Sequence, residues 1–223
     1  MNASKTEFIM FGSRQQLDKC VTSSINIAND NIEKQKCIRY LGAFLDESLN
    51  FKDHIKRKCR TAMLNFFKIK SVRKYLTREA TEILCLSLVI SHLDYCNVVL
   101  YGVPQYDLNK MQRIQNMCAK LILKRKKYDS SRQALFDLHW LPVKARIEFK
   151  IMAFMYNCFR GNAPAYLMEL LSHHIPTRSL RSSDHSSLSY SVPFNKRRTF
   201  GDMGFSNCGA EIVEHTANCN QGI

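Results

Sequence analysis

The segment Ser91-His-Leu-Asp-Tyr-Cys-Asn97 contains three neighbouring side chains of types that act in hydrolysis: His92, Asp94 and Tyr95. A hydrolytic site of this kind also needs a nucleophile, such as a serine in a glycine-flanked elbow, and none accompanies the cluster. At helical spacing, Leu88, His92 and Tyr95 fall on one face. The pattern therefore favours a packed core with a hydrogen-bonded histidine over a catalytic site.

A second histidine with neighbours of interest is His139, in Leu138-His-Trp-Leu-Pro-Val143. This segment also contains the only tryptophan and lies between two predicted helices. A tryptophan at such a junction is typically packed against both helices. We interpret the segment as a buried corner in which His139 is structural.

Metal binding is not favoured by the cysteines. Their number is odd, no two form a Cys-x-x-Cys pair, and several fall at apolar positions of helical patterns, which is typical of reduced thiols. Zinc is the alternative, because seven histidines are available, but the close double spacing of a structural zinc site is missing. The nine are Cys20, Cys37, Cys59, Cys85, Cys96, Cys118, Cys158, Cys208 and Cys219.

The charge balance points to an anionic partner. The chain has 33 Lys and Arg against 19 Asp and Glu, a net charge of +14. Such a surface binds phosphate backbones or anionic lipid. Nucleic acid is favoured over membrane, because no apolar run approaches the roughly 20 residues needed to span a bilayer and no signal peptide opens the chain. We expect an intracellular, soluble protein, cytoplasmic or nuclear.

Two runs of basic residues are the candidate nucleic-acid contacts. They would bind phosphates, and so carry affinity without reading sequence. The alternative for each run is a solvated helix face. The first run contains Lys56, Arg57, Arg60, Lys68, Lys70, Arg73 and Lys74; the second, at the end of a helix that includes Lys120, contains Lys124, Arg125, Lys126 and Lys127.

Periodicity divides the chain into three regions and predicts a mainly α fold. Strand patterns occupy residues 7–11, 24–28 and 37–45, which predicts a small N-terminal antiparallel β element. Helical patterns follow over 51–76, 77–101, 107–126, 131–139, 142–159 and 165–172, with Thr77 favoured as a helix start. From residue 173 the chain is Ser/Arg-rich, and we expect an irregular tail with one short strand at 188–192.

Several motifs, in order along the chain, resemble the reverse transcriptase of non-LTR (LINE-type, jockey-like) retrotransposons. Near the N-terminus they are Asn2-Ala-Ser-Lys-Thr-Glu-Phe8 and Ile38-Arg-Tyr-Leu-Gly-Ala-Phe-Leu-Asp46. Residues 91–123 and 138–167 resemble the family's thumb and post-thumb region, with its Leu-His-Trp-Leu-Pro-Val and Ala-Pro-x-Tyr-Leu motifs. The resemblance covers about residues 2–208.

The resemblance implies a role for each segment of the chain. Residues 1–50 would end the polymerase palm, 51–128 would form a thumb-like helical bundle, 129–175 post-thumb helices and 176–223 an irregular tail. Lys5 would match the motif D lysine, which assists departure of pyrophosphate. Tyr40, Leu41 and Gly42 would form the primer-grip hairpin. The implied partner is an RNA or DNA template–primer duplex, and magnesium serves the intact family.

The sequence also departs from the family. The metal-binding aspartates of the polymerase, including an Asp-Asp hairpin, are not in this chain, so we expect it to be inactive alone and to hold no cofactor. After Cys208 the family pattern stops, and a shifted reading of 209–223 can restore it, which suggests a frameshifted end. The alternative function is a helical protein-interaction or scaffold remnant. Either way, an exposed palm edge predicts self-association.

Overall fold

The structure, a computed structural model, describes residues 5–20, 22–27, 30–169, 209 and 212. Their contacts form two units: the first runs up to Cys96 and resumes over Val103–Trp140, and the second contains Asn97–Gly102 and the residues from Leu141 onward. The described part is mainly helical with two small antiparallel sheets, as predicted. The functional division expected at residues 50, 128 and 175 stays a prediction.

The first unit begins with a short helix and two β-hairpins. These elements are α1 (Arg14–Lys19), β1 (Ser24–Ile27), β2 (Asp30–Glu33), β3 (Cys37–Tyr40) and β4 (Ala43–Asp46). The strands β1 and β2 pair with Ile25 opposite Ile32, and β3 and β4 with Tyr40 opposite Ala43. The pattern over 37–45 is thus a two-stranded hairpin. The strand predicted over 7–11 is reduced to one isolated bridge, Phe8 to Lys34.

Helices make up the rest of the first unit. They are α2 (Lys52–Val72), which continues as a 3-10 turn over Arg73–Tyr75; α3 (Arg78–Cys85); α4 (Ser91–Asp94); α5 (Gln105–Ile122); and α6 (Ser131–Asp137). As predicted, Thr77 begins α3: its hydroxyl accepts a hydrogen bond from the backbone N–H of Ala80 at 3.2 Å. No helix among the described residues is long and apolar enough to cross a membrane.

Helix α2 packs against α5 through side chains spaced three and four residues apart. On α2 the buried stripe is Ile55, Ala62, Phe66 and Ile69, and on α5 it includes Met111, Ile114, Cys118 and Ile122. Each fully buried Ile, Met or Phe side chain stabilises the fold by about 1.5–3 kcal/mol. The cations of both helices lie outside these buried stripes.

A π-helical turn, Leu86–Ile90, joins α3 to α4 and changes which residues are buried. The expected core face of Leu88, His92 and Tyr95 is wrong: Leu88 is 44% and Tyr95 46% exposed. Instead Val89, Ile90 and Leu93 are buried. Leu88 lies within this wider turn, where the helical spacing does not hold, and Tyr95 lies beyond the end of α4.

The second unit is built on α7 (Val143–Phe159), with a 3-10 turn over Asn97–Leu100 and the short α8 (Ala165–Met168). Its core residues on α7 recur every four positions: Val143, Ile147, Ile151 and Met155. The Lys150 ammonium donates to the Asn97 side-chain oxygen at 2.9 Å. The predicted strand 188–192, Ser172 and almost all of the predicted tail lie outside the described residues.

Candidate nucleic-acid interface

Two grooves run along α2 and α5 on the first unit. The Tyr106 groove, of about 820 Å³, is lined by Lys52, Asp53, Lys56, Cys59, Arg60, Met63, Pro104, Tyr106, Asp107, Lys110, Arg113 and Ile114. The Lys120 groove, of about 480 Å³, is lined by Phe66, Lys70, Arg113, Asn116, Met117, Lys120, Leu121, Arg125, Lys127 and Ser131. Arg113 lines both, so the two grooves adjoin.

Cations dominate both grooves. Five line the Tyr106 groove, together with the carboxylates of Asp53 and Asp107. Five line the Lys120 groove, and no carboxylate does. Several like charges held along two packed helices create a positive potential that attracts polyanions. The two grooves therefore form a cationic track on which successive phosphates could bind.

Some of these cations already have partners. Lys110 pairs with Asp107 at 2.7 Å, and this hydrogen bond raises the pKa of Lys110. Lys120 donates to the backbone carbonyl of Lys127 at 2.8 Å, and Arg125 is paired with Asp137. Among the described residues no ion pair engages six other groove cations, which are Lys52, Lys56, Arg60, Lys70, Arg113 and Lys127. These six are available to a phosphate.

The basic residues predicted to contact nucleic acid, apart from Arg73, fall into two groups. Those that line the grooves are Lys56, Arg60, Lys70, Arg125 and Lys127. Those that are exposed but line neither groove are Arg57, Lys68, Lys74, Lys124 and Lys126. Arg57 lies over the ring of Phe44 at 4.6 Å, and Lys74 over that of Tyr75 at 4.7 Å. Lys5 is also exposed.

Arg73 is a correction to the predicted interface. Its residue is only 8% exposed, and its guanidinium donates to the carbonyls of Leu121 at 3.0 Å, Ile122 at 3.0 Å and Leu76 at 2.8 Å. The Leu121 and Ile122 carbonyls belong to the end of α5, where unpaired acceptors and the helix dipole both favour a cation. Arg73 therefore caps α5 and is not available to a phosphate.

Three groove cations lie outside both predicted basic runs: Lys52, Lys110 and Arg113. On α5 the residues that line the grooves include 106, 110, 113, 117 and 120, with spacings of four, three, four and three. That spacing marks one helix face. The signal was present, but the cations are spread along the helix and do not form a run.

The hairpin tip Tyr40-Leu41-Gly42 is exposed. Tyr40 is 61% and Leu41 76% exposed. Leu41 and Gly42 both have positive φ, 45° and 82°, the pattern of a two-residue type I′ turn. Positive φ strains a leucine, so other contacts must hold the turn.

Tyr95 supplies such a contact. Its hydroxyl donates to the Leu41 carbonyl, and a Cβ on Gly42 would lie 2.9 Å from the same hydroxyl. Gly42 is thus required both by its φ and by this close approach. The Lys58 ammonium lies 4.3 Å from the centre of the Tyr95 ring, and burial there lowers the pKa of Lys58. The tip is therefore anchored on the helices of the first unit.

The hydrolytic cluster considered from the sequence does not form a reactive site around Tyr95, because its hydroxyl is engaged by Leu41. In the Tyr106 groove, burial raises the pKa of Cys59 to about 11, so this thiol stays protonated at neutral pH. The seven described cysteines are all free thiols. Within the described part of the chain, no three His, Cys, Asp or Glu side chains are grouped to hold a metal.

The predicted corner around the single tryptophan contains one buried and one exposed side chain. Trp140 is buried, as predicted, with 8% of its surface exposed, and its backbone N–H donates to the Leu135 carbonyl at 2.9 Å. His139 is exposed and has a φ of 52°. The histidine is therefore part of a turn and is not buried in the corner.

Comparison with protein-family models, with curated proteins and with solved structures gives no match to this chain.

Proposed function

We propose that this chain is a template–primer-holding part of a non-LTR retrotransposon reverse transcriptase and binds an RNA–DNA or DNA duplex along α2 and α5. The observation that carries the nucleic-acid part is the continuity of charge at Arg113, which lines both cationic grooves. Phosphates recur regularly along a duplex, and a track of cations on rigid helices can meet several of them.

The polymerase family enters this proposal through the sequence motifs. The exposed tip Tyr40-Leu41-Gly42 is the element that the resemblance compares with a primer grip, and its anchoring by Tyr95 is compatible with a contact surface. The chain on its own does not polymerise, because two-metal phosphoryl transfer needs carboxylates that its sequence lacks. Magnesium belongs to the intact enzyme in this proposal.

The test is the salt dependence of duplex binding by the full chain. An RNA–DNA hybrid labelled with fluorescein is titrated by anisotropy at several salt concentrations. If four to six of the available groove cations contact phosphates, the logarithm of the binding constant falls against the logarithm of salt with a slope of about −4 to −5. Absence of binding, or binding that salt does not weaken, contradicts the proposal.

A matched pair of variants separates the grooves from general positive charge. Lys70→Glu with Lys120→Glu reverses two charges in the Lys120 groove, whereas Lys68→Glu with Lys74→Glu reverses two exposed charges outside both grooves. The net charge changes equally. We expect the first variant to lose most of the affinity and the second to lose much less. Equal losses would mean that the grooves are not the binding surface.

A second function, protein interaction by a helical scaffold, is favoured by one observation. On α2, Leu64 is 56% and Phe67 53% exposed, and on α3 Ile83 is 64% exposed. Exposed apolar side chains on neighbouring helices can mark a protein interface. A chain with this function would show no appreciable affinity for duplex, so the salt experiment distinguishes the two. Self-association through open sheet edges is compatible with either function.

A further inference from the structure

The two grooves differ in the chemistry of their lining. The Lys120 groove has five cations and no carboxylate, as expected for backbone phosphates alone. The Tyr106 groove combines a cationic rim with the apolar Met63 and Ile114 and two carboxylates. Carboxylates repel phosphates but accept hydrogen bonds from amino groups, and here the exposed one is Asp53, because Asp107 is buried and paired with Lys110. The Tyr106 groove is therefore suited to a ligand that presents more than a phosphate.

Tyr106 is the aromatic side chain that lines this groove. It lies in the first turn of α5, and 71% of its surface is exposed. The Lys110 ammonium is 4.3 Å from the ring centre, and Lys110 is in turn paired with the buried Asp107 at 2.7 Å. This chain of contacts restrains the ring at the groove and leaves most of the side chain open to solvent.

Aromatic rings beside a cationic groove are the means by which proteins bind unpaired nucleotides: the ring stacks on a base while the cations bind the backbone. Bases inside a duplex are stacked on both faces and have no free face for such a ring. A cation over the ring does not prevent stacking, because an aromatic ring has two faces. The combination in the Tyr106 groove thus fits a single-stranded nucleotide.

We infer that the Tyr106 groove binds an unpaired nucleotide, with its base stacked on Tyr106, where a single strand leaves the duplex held in the Lys120 groove. This inference rests on the proposed nucleic-acid function and adds a specific ligand class to it. It makes the track a binding site for the junction between paired and unpaired nucleic acid. Stacking accepts any base, so the site has little sequence preference.

The test compares two hybrids on the full chain: a blunt RNA–DNA hybrid and the same hybrid with a single-stranded RNA overhang that contains 2-aminopurine. The wild-type protein is expected to bind the overhang hybrid more tightly and to quench the 2-aminopurine. Tyr106→Ala should lower affinity for the overhang hybrid by about 5- to 100-fold and abolish the quenching. Tyr106→Phe, which keeps the ring, should retain both.

Tyr75 provides a matched control. It is 77% exposed and also carries a lysine over its ring, Lys74 at 4.7 Å, but it lines neither groove. Tyr75→Ala should bind both hybrids as wild type does. A DNA overhang in place of RNA tests whether the 2′-hydroxyl contributes, and equal affinity is expected for a stacking site.

The outcomes distinguish a failure of this inference from a failure of the proposed function on which it rests. If wild type binds both hybrids equally and Tyr106→Ala changes neither, the stacking site is wrong and duplex binding stands. The same holds if Tyr106→Ala weakens both hybrids to the same extent, or if Tyr75→Ala loses as much as Tyr106→Ala. If wild type binds neither hybrid, the proposed function fails and the inference fails with it.

Discussion

The hydroxyl of Tyr95 donates a hydrogen bond of 2.5 Å to the backbone carbonyl of Leu41, 54 residues earlier in the chain. This contact joins the tip of the β3–β4 hairpin to the residue that follows α4. Tyr95 follows the last residue of α4 with extended backbone angles, and its side chain is 46% exposed. A side chain that sequence periodicity assigns to the core thus becomes the anchor of the exposed hairpin.

Tyr95→Phe tests this anchor, because it removes the hydroxyl and keeps the ring under Lys58. Both partners are partly exposed, so the freed carbonyl can bind water and the free energy of unfolding should fall by only about 0.5–1 kcal/mol. The larger effect should be local: amide hydrogen exchange over residues 37–46 should accelerate. Tyr75→Phe is the control. Unchanged exchange in Tyr95→Phe would mean that the hairpin is held by other contacts.

Arg73→Ala is predicted to destabilise the protein through α5. The substitution removes three hydrogen bonds from a charged donor, and each such bond makes a net contribution of about 1.5–3 kcal/mol. Because water can reach some of the freed carbonyls, we expect a loss of about 2–5 kcal/mol in urea unfolding. Lys74→Ala, at the exposed neighbouring position, should change stability by less than about 0.5 kcal/mol. Equal stabilities would contradict the capping role.

The contrast between Arg73 and Arg113 shows what sequence can and cannot predict here. The amphipathic patterns over 51–76 and 107–126 predict α2 and α5, since period is a local property of one helix. Whether a given cation is buried, or lines a groove, depends on which helix packs beside it. Arg73 lies in a basic run yet caps α5, whereas Arg113 stands apart from any run and lines both grooves.

The β-hairpins illustrate a second limit. The alternation of residues 37–45 predicts extended chain, but the turn at Leu41 requires a leucine with positive φ, which local preference disfavours. Gly42 is the local signal for the turn, and Tyr95 provides the distant support. A contact across 54 residues cannot be predicted from periodicity, because periodicity describes only neighbours along the chain.

His54 is predicted to make stability depend on pH. It is 1% exposed, its Nδ1 accepts the backbone N–H of Phe44 at 3.2 Å, and burial, with Lys58 nearby, lowers its pKa to about 4. Between about pH 6.5 and 4 the unfolded chain binds a proton that the folded chain does not. The free energy of unfolding should therefore fall as pH decreases through this window, by on the order of 2 kcal/mol.

Urea titrations at pH 7, 6, 5 and 4 measure this dependence. His54→Asn is the control, because its side-chain oxygen can accept the Phe44 N–H but does not titrate. The variant should be less stable at pH 7, since asparagine is smaller than histidine, and its stability should depend less on pH between 6.5 and 4. The assignment to His54 is wrong if both proteins show the same pH dependence.

Self-association is predicted to involve the open edge of β1. The backbone N–H of Lys34 donates to the Ser23 carbonyl at 2.8 Å, so Ser23 and Lys34 are a hydrogen-bonded pair of the antiparallel ladder. Hydrogen-bonded and non-hydrogen-bonded pairs alternate along such a ladder, so the backbone N–H and C=O of Asn26 point away from β2. Light scattering after size-exclusion chromatography should show mass rising with concentration. Asn26→Pro removes an edge donor and should reduce that rise. A monodisperse monomer at high concentration would contradict the prediction.

Arg113→Ala is the sharpest test of the cationic track, because this one side chain lines both grooves. Loss of one phosphate contact should make the salt slope less steep by about 0.9 and weaken duplex binding by about 5- to 10-fold at 100 mM salt. Lys68→Ala removes the same charge from an exposed position of α2 outside both grooves, and should leave the slope unchanged. Of these two residues, Arg113 lies on the cationic track and Lys68 does not. If both variants lose affinity equally, binding is determined by net charge and not by the track.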